Sequence, residues 1–280
     1  MSNLRIVYDN AAPRATLTAS STAGALVVGN LQDENKSTLW RATGTTARLT
    51  AKWATPEPVR CIALPVCNLS PTATMRVRLS TNPATTDPWA APTSDSGVVT
   101  CCPAPARRVR GFTAAQAATA YAHGGGACAV VWLPAVVNAA SLTVEIADAA
   151  NAAGAIEAAA LVIGDYWSPD ENAGYDVAMT PVDTGRHERT AAGGLLTEAG
   201  TRYRTLSFSL EHMTPADRAA MLDIAAGNGV THAMLVSLLP GIEDAAAERD
   251  HTLFGRLSKT TAQRIVRYRT YATTLELEEV

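Results

Sequence analysis

Five histidines are the first residues to weigh for chemistry: His123, His187, His212, His232 and His251. None forms an i, i+4 pair or the H-E-x-x-H arrangement that puts two imidazoles and a carboxylate on one helix face to hold zinc. His187-Glu188 is only a dipeptide. A serine nucleophile would need the strained G-x-S-x-G elbow, and a bound nucleotide the Walker A loop; the sequence contains neither. The glycine clusters His123-Gly124-Gly125-Gly126 and Gly193-Gly194 lack the preceding strand and following helix that phosphate cradling requires. They read as a loop and a hairpin turn. Paired carboxylates could serve glycoside hydrolysis, but Asp33-Glu34, Asp170-Glu171, Glu243-Asp244 and the Glu276 to Glu279 run read as turn, chain-end or interface charges. Cys61, Cys67, Cys101, Cys102 and Cys128 are odd in number and no secretory signal precedes them, which argues for buried thiols over a disulfide framework. A metal or cluster gathered from all of them is the alternative. The expectation is a non-enzymatic protein with no catalytic residue, cofactor or metal.

Two other sets of residues suit recognition. Arg256, Lys259, Arg264, Arg267 and Arg269 crowd a short segment together with Tyr268 and Tyr271. Arginine and tyrosine suit nucleic acid, and they are equally favoured in protein–protein contacts. The net charge of -3 argues against a general nucleic-acid binder, so Arg264, Arg267, Tyr268, Arg269 and Tyr271 are expected to form an inter-subunit surface. Trp89, in Thr86-Asp87-Pro88-Trp89, could stack on a sugar ring as a glycan contact, or pack on its own domain.

The elements that must position these residues are mostly strands. With 280 residues, of which 47% are hydrophobic, the chain can fill two cores. Only 18% are charged, below the usual quarter, which fits either a surface covered by partners or a bias toward small residues. No run of ~18 apolar residues predicts a transmembrane helix, and the N-terminus has no apolar core of signal-peptide length; synthesis and folding in a cytoplasm are expected. Apolar and polar residues alternate in Met75-Arg76-Val77-Arg78-Leu79 and Leu142-Thr143-Val144-Glu145-Ile146. Strands are also expected over 4–8, 47–53, 59–65, 127–133 and 155–163, with turns at Pro56, Pro58, Pro83, Pro88, Pro92, Pro103 and Pro105. A weak helical pattern covers 113–121. The polar segment 168–174 divides residues 1–167 from 175–280. Beyond it, strands are expected over 175–180, 186–190, 232–239 and 252–258. Leu206, Phe208 and Leu210 alternate with polar residues, and a last strand or hairpin runs from 263 to 280. One helix is expected at about 214–227. Thr214 is its N-cap, Pro215 its first residue and Asp217 its capping partner, and Gly227-Asn228-Gly229 ends it. The fold class is mainly β: a jelly-roll β-sandwich, then a β-sandwich or barrel with one packed α-helix.

Asn30-Leu31-Gln32-Asp33 followed by Ser37-Thr38-Leu39-Trp40-Arg41 resembles the start of discoidin-type, galactose-binding-like domains. In that pattern the aspartate closes a turn and the tryptophan plugs the end of the sandwich. The resemblance implies an eight-stranded jelly roll to about residue 165, of a kind that sometimes binds sugars or lipids through loop tips, here Asn35-Lys36, the Trp89 loop and 123–126. The order of Tyr203-Arg204-Thr205-Leu206-Ser207-Phe208, Thr214-Pro215-Ala216-Asp217-Arg218, Leu253-Phe254-Gly255-Arg256-Leu257 and Thr274-Leu275-Glu276-Leu277-Glu278-Glu279 is similar to that of distal-tail and minor tail proteins of long-tailed bacteriophages. It implies a belt-like domain and a virion component of the tail tip or baseplate, assembled in the host cytoplasm. The partners implied are copies of the chain itself in a ring, hexameric or alternatively trimeric, and the tube, hub and fibre proteins of the tail. Neither a membrane nor a sequence-specific nucleic acid is expected. A carbohydrate-binding module for cell-surface attachment is the alternative reading.

Overall fold

The period-two pattern of Met75, Val77 and Leu79 becomes one buried face of a strand, with Arg76 and Arg78 on the other. This is repeated across a curled eight-stranded sheet in a computed structural model that describes residues 3–85, 87–103 and 127–280. The weak helical pattern over 113–121, Pro105 and the loop at 123–126 lie outside the described residues. The sheet is built from β2 (Thr16–Ala19), β3 (Trp40–Arg41), β4 (Thr46–Cys67), β5 (Thr74–Ser80), β6 (Ser94–Thr100), β7 (Ala127–Ala147), β8 (Glu157–Ala158) and β9 (Val162–Gly164). Its main path runs β3-β8-β4-β7-β5-β6, and β2 and β9 also pair with β4. This is the expected jelly-roll β-sandwich. Trp40 is fully buried within it and donates its indole N–H to the Ser21 carbonyl at 3.2 Å.

Strand lengths depart from expectation. Residues 47–53 and 59–65 belong to one 22-residue strand, and 127–133 and 142–146 to another of 21 residues. Pro56 and Pro58 do not end β4; they bend it, and the β4–β7 register shifts between Lys52 and Glu57 and again between Val59 and Cys61. A proline removes one ladder hydrogen bond, which a bulge absorbs.

A second sheet has the order β1-β14-β15-β17-β13-β10, with β16 on β17. Its strands are β1 (Arg5–Val7), β10 (Ala178–Asp183), β13 (Arg202–Met213), β14 (Met234–Ser237), β15 (Thr252–Leu257), β16 (Gln263–Arg267) and β17 (Thr270–Glu279). Between β10 and β13 lies a separate hairpin of β11 (Arg186–Arg189) and β12 (Leu195–Glu198). Helix α1 (Pro215–Asn228) has the expected cap. The Asp217 N–H meets Thr214 Oγ1 at 3.2 Å, and the Thr214 N–H meets Asp217 Oδ2 at 3.1 Å. Met221 and Ile224 carry its buried face, and Gly229 stops it with φ +52. A short second helix, α2 (Ala245–Asp250), capped by Asp244, was not foreseen.

One strand corrects the expected division at 168–174. β1 lies in the first 167 residues but pairs antiparallel with β14, Ile6 opposite Val236. Leu4 and Ile6 point into the second core and Val7 into the first. On the other face Arg5 lies 4.9 Å from the Trp132 ring and 4.6 Å from that of Tyr166. The physical reason is burial: both faces of this short strand gain apolar or aromatic cover only when it lies between the two cores.

Candidate functional site

Two ribbons extend from the second sheet. The first continues the β10–β13 pair, whose register runs from Ala178↔Ser207 to Asp183↔Arg202. It passes through the Thr184 N–H to Thr201 carbonyl bond at 3.0 Å into β11–β12. At this waist Gly200 is obligatory, because a Cβ there would strike the Gly185 and Thr184 backbones. All eight residues of β11 and β12 are exposed, Leu195 and Leu196 among them. The turn at Gly193, with φ +81, closes the hairpin where the sequence suggested it.

The second ribbon is β16–β17. Arg267 faces Thr270 across a two-residue turn, Tyr268-Arg269. Among the described residues, Arg269 is the one non-glycine residue with positive φ, +60, a conformation that costs an L side chain energy. Tyr268 is 91% exposed and Ile265 77%. Arg264, Arg267, Tyr268 and Arg269 thus share one exposed hairpin. Tyr271 does not join them. It is half-buried against the second core, with the Arg218 guanidinium 5.1 Å from its ring.

The ion pairs separate these ribbons from the rest of the surface. Arg14 holds Asp9 and Glu57, Arg48 holds Glu145, Arg60 holds Asp165, and Arg76 and Arg78 share Asp95. Arg41, Arg202, Arg204, Arg249 and Arg256 are also paired, and Arg5 and Arg218 stack on aromatic rings. Among the described residues, the arginines with neither a carboxylate partner nor an aromatic ring are Arg186 and Arg189 on the first ribbon and Arg264, Arg267 and Arg269 on the second. Sequence crowding pointed to the second group. The sequence places Arg186 and Arg189 in an expected strand but marks neither as a contact, because two arginines spaced three apart form no cluster.

Trp89 lies on the outer face of the first unit. The guanidiniums of Arg48, Arg78 and Arg76 stand 4.2, 4.4 and 5.6 Å from its ring. Arg76, with a contribution from Arg78, holds the Asp95 carboxyl well below the usual carboxylate range. Trp89 is half-buried, so this ring lids a layer of paired charges and part of its surface is already in contact. Trp40, buried at the end of the sandwich, offers no face to a ligand.

A seam between the units holds two neighbouring clefts, of ≈ 320 and ≈ 280 Å³, that share Tyr8, Asp9 and Arg14. Asp223 and His232 line the first, Tyr166 and Trp167 the second. Most of their acids are already committed: Asp9 and Glu57 to Arg14, Asp165 to Arg60, and Glu34 to Arg256 and to the Ala233 N–H at 2.9 Å, while Asp223 makes no ion pair among the described residues. Tyr8 titrates above its usual value because of burial and then the nearby Asp9, Asp223 and Asp165. All five cysteines are buried thiols, none of them in a disulfide. Burial raises the thiols of Cys61, Cys67 and Cys101 well above their usual range. Among the described residues no group of three or more His, Cys, Asp or Glu could hold a metal ion.

No protein-family model matches the chain, and neither does any curated protein. Part of it is similar to solved structures. One is chitosan-binding module 1 of a chitosanase/glucanase from Paenibacillus sp. IK-5, at 14% identity over 55% of this chain and 98% of that one, TM-score 0.36. Another is the family 32 carbohydrate-binding module of NanJ from C. perfringens, in complex with galactose, at 13% identity over 59% and 99%, TM-score 0.35. A third is an F-lectin from striped bass (Morone saxatilis) serum, at 12% identity over 74% and 71%, TM-score 0.38.

Proposed function

We propose that the chain is a structural assembly subunit whose second unit engages copies of itself and other proteins through its two ribbons. In its specific form, it is a ring component of the tail tip or baseplate of a long-tailed bacteriophage, joining the tube to the hub and receptor-binding parts. The observation that carries the assembly reading is the gathering of uncommitted arginines and exposed Ile265, Tyr268, Leu195 and Leu196 on ribbons with no core of their own. A two-stranded ribbon is marginal alone in water, and arginine with aromatic and aliphatic neighbours is the composition of contact hot spots. Electron microscopy and sedimentation of the purified protein test it: rings or oligomers are expected, and replacing Arg267 and Arg269 by Glu dissolves them with the monomer still folded. A protein that stays monomeric, alone and with tail partners, refutes it.

The alternative is a carbohydrate-binding module for cell-surface attachment. Trp89 favours it, because a half-exposed indole bordered by arginines, Asp87 and Asp95 combines the flat apolar and polar contacts that sugars use. A glycan array with galactose, fucose and chitosan oligomers decides: specific binding lost in Trp89→Ala supports it, and no binding to any glycan removes it.

A further inference from the structure

Two segments on opposite sides of the β17–β13 pair carry opposite charge. On one side β16 lies against β17, with Gln263 opposite Thr273. On the other side of the β13–β17 pair, where Ser209 faces Thr274, the strap at 170–176 runs along β13: the Gly174 N–H bonds to the Ser209 carbonyl at 2.9 Å, and Asp176 accepts the Ser209 hydroxyl at 2.8 Å. The strap exposes Asp170, Glu171, Tyr175 and Asp176. Asp170 and Glu171 make no ion pair among the described residues. The strap is also pinned from its N-terminal side, since Asn172 Oδ1 accepts the Leu4 N–H at 2.9 Å and Asn3 donates to the Pro169 and Asp170 carbonyls. It is therefore ordered before any partner arrives.

The cationic hairpin and this acidic strap stand about three strand spacings apart, roughly 14 Å, with β17 and β13 between them, so they cannot meet within one chain. We infer that the Arg264–Arg269 hairpin of one copy docks on the acidic strap of the next. The inference rests on the assembly reading above and names the acceptor surface for it. The two opposite charges flank the β17–β13 pair, each beside an exposed tyrosine, Tyr268 or Tyr175, so every copy offers both halves of a head-to-tail contact. Such a heterologous contact closes into a ring when the rotation allows it.

Complementary charge reversal of the full chain tests this. One variant carries Arg264→Glu, Arg267→Glu and Arg269→Glu, and the other Asp170→Lys, Glu171→Lys and Asp176→Lys. Each alone now opposes like charges and should lose at least about tenfold in self-association at ~50 mM salt. Mixed together, the acidic hairpin of one meets the basic strap of the other, and the reverse, so sedimentation velocity should show association restored. Circular dichroism melts confirm that both variants are folded. If the strap variant assembles like the natural chain, or the mixture stays apart, the strap is not the acceptor and this inference falls while the assembly reading stands. If the natural chain itself never associates, alone or with tail partners, the assembly reading falls first.

Discussion

Replacing Glu279 by alanine removes a carboxylate around which the end of the second sheet is organised. Its oxygens accept from Arg204 Nη2 at 2.7 Å, from Arg204 Nε at 3.2 and 3.3 Å and from the Arg204 backbone N–H at 3.0 Å. The two side chains are 5% and 11% exposed. Lys36 stands within electrostatic reach of both, and burial lowers its pKa while Glu279 opposes that. Taking one member from such a pair leaves the other charge desolvated, at a cost of about 3–5 kcal/mol. Glu279→Gln keeps an acceptor for the backbone N–H but no charge, and should cost about 2 kcal/mol, since a hydrogen bond to a charged group is worth ~1.5–3 kcal/mol. The apolar double replacement Arg204→Met/Glu279→Leu should return to within about 1 kcal/mol of the natural chain. The assay is thermal unfolding followed by two probes. Trp40, Trp53 and Trp89 lie in the first unit, while Trp132 bonds Glu248 and Trp167 packs on the second core, so tryptophan fluorescence reports the first unit and the seam, and far-ultraviolet dichroism both units. At ~2–4 °C per kcal/mol for a domain of this size, Glu279→Ala should lower Tm by roughly 10 °C. Both probes should move together, because β1 is shared by the two cores. A shift under about 2 °C, or a double variant as unstable as the single one, would refute the reasoning.

Arg269→Gly relieves the left-handed conformation at the hairpin turn; the monomer should gain about 1 kcal/mol in denaturant titrations while self-association weakens. Gly255→Ala places a methyl group against the Glu278 carbonyl and the Leu253 side chain at the β15–β17 pairing, and should destabilise by at least ~2 kcal/mol in the same titration. In the native protein the five buried thiols should resist iodoacetamide at about pH 8 and react once unfolded, counted by mass spectrometry. Three of these thiols set a pH trend. The folded pKa values of Cys61, Cys67 and Cys101 lie above the unfolded value of about 8.5, so the unfolded chain releases protons first and stability falls as pH rises past that point; a midpoint in urea that is flat from about pH 8 to 10 contradicts it.

Local signals in the sequence placed many elements because one buried face writes a period. Met75 to Leu79, Leu142 to Ile146 and Leu206 to Leu210 all became strands with that face inward. The Thr214–Pro215–Asp217 cap set the helix start. What the sequence withheld is pairing at a distance. Nothing in residues 4–8 says that their partner is β14, more than 220 residues later. Nor do Pro56 and Pro58 announce that they bend one long strand instead of separating two. The acids show the same limit. Glu34 and Glu279 look like turn and chain-end charges, yet Glu34 ties the β14 segment to the first unit and Glu279 sits on a buried arginine. A carboxylate's role follows from which cation the fold delivers to it, and that is a tertiary fact.

The seam gives the assembly reading its mechanical content. Beyond β1, the Asn228 side-chain amide donates to the Tyr8 carbonyl at 2.7 Å, and Trp132 Nε1–H donates to Glu248 at 2.9 Å. Arg60 stacks 3.7 Å from the Tyr166 ring and pairs with Asp165. Interfaces between domains of one chain are often small and polar, and permit relative motion; here a shared strand and two touching cores oppose it. A subunit held by its second-unit ribbons would therefore hold its jelly roll in a fixed place as well. The two readings of function then cease to compete on geometry: a ring built by the ribbons would present each jelly roll, with Trp89 on its outer face, at a set position around the rim.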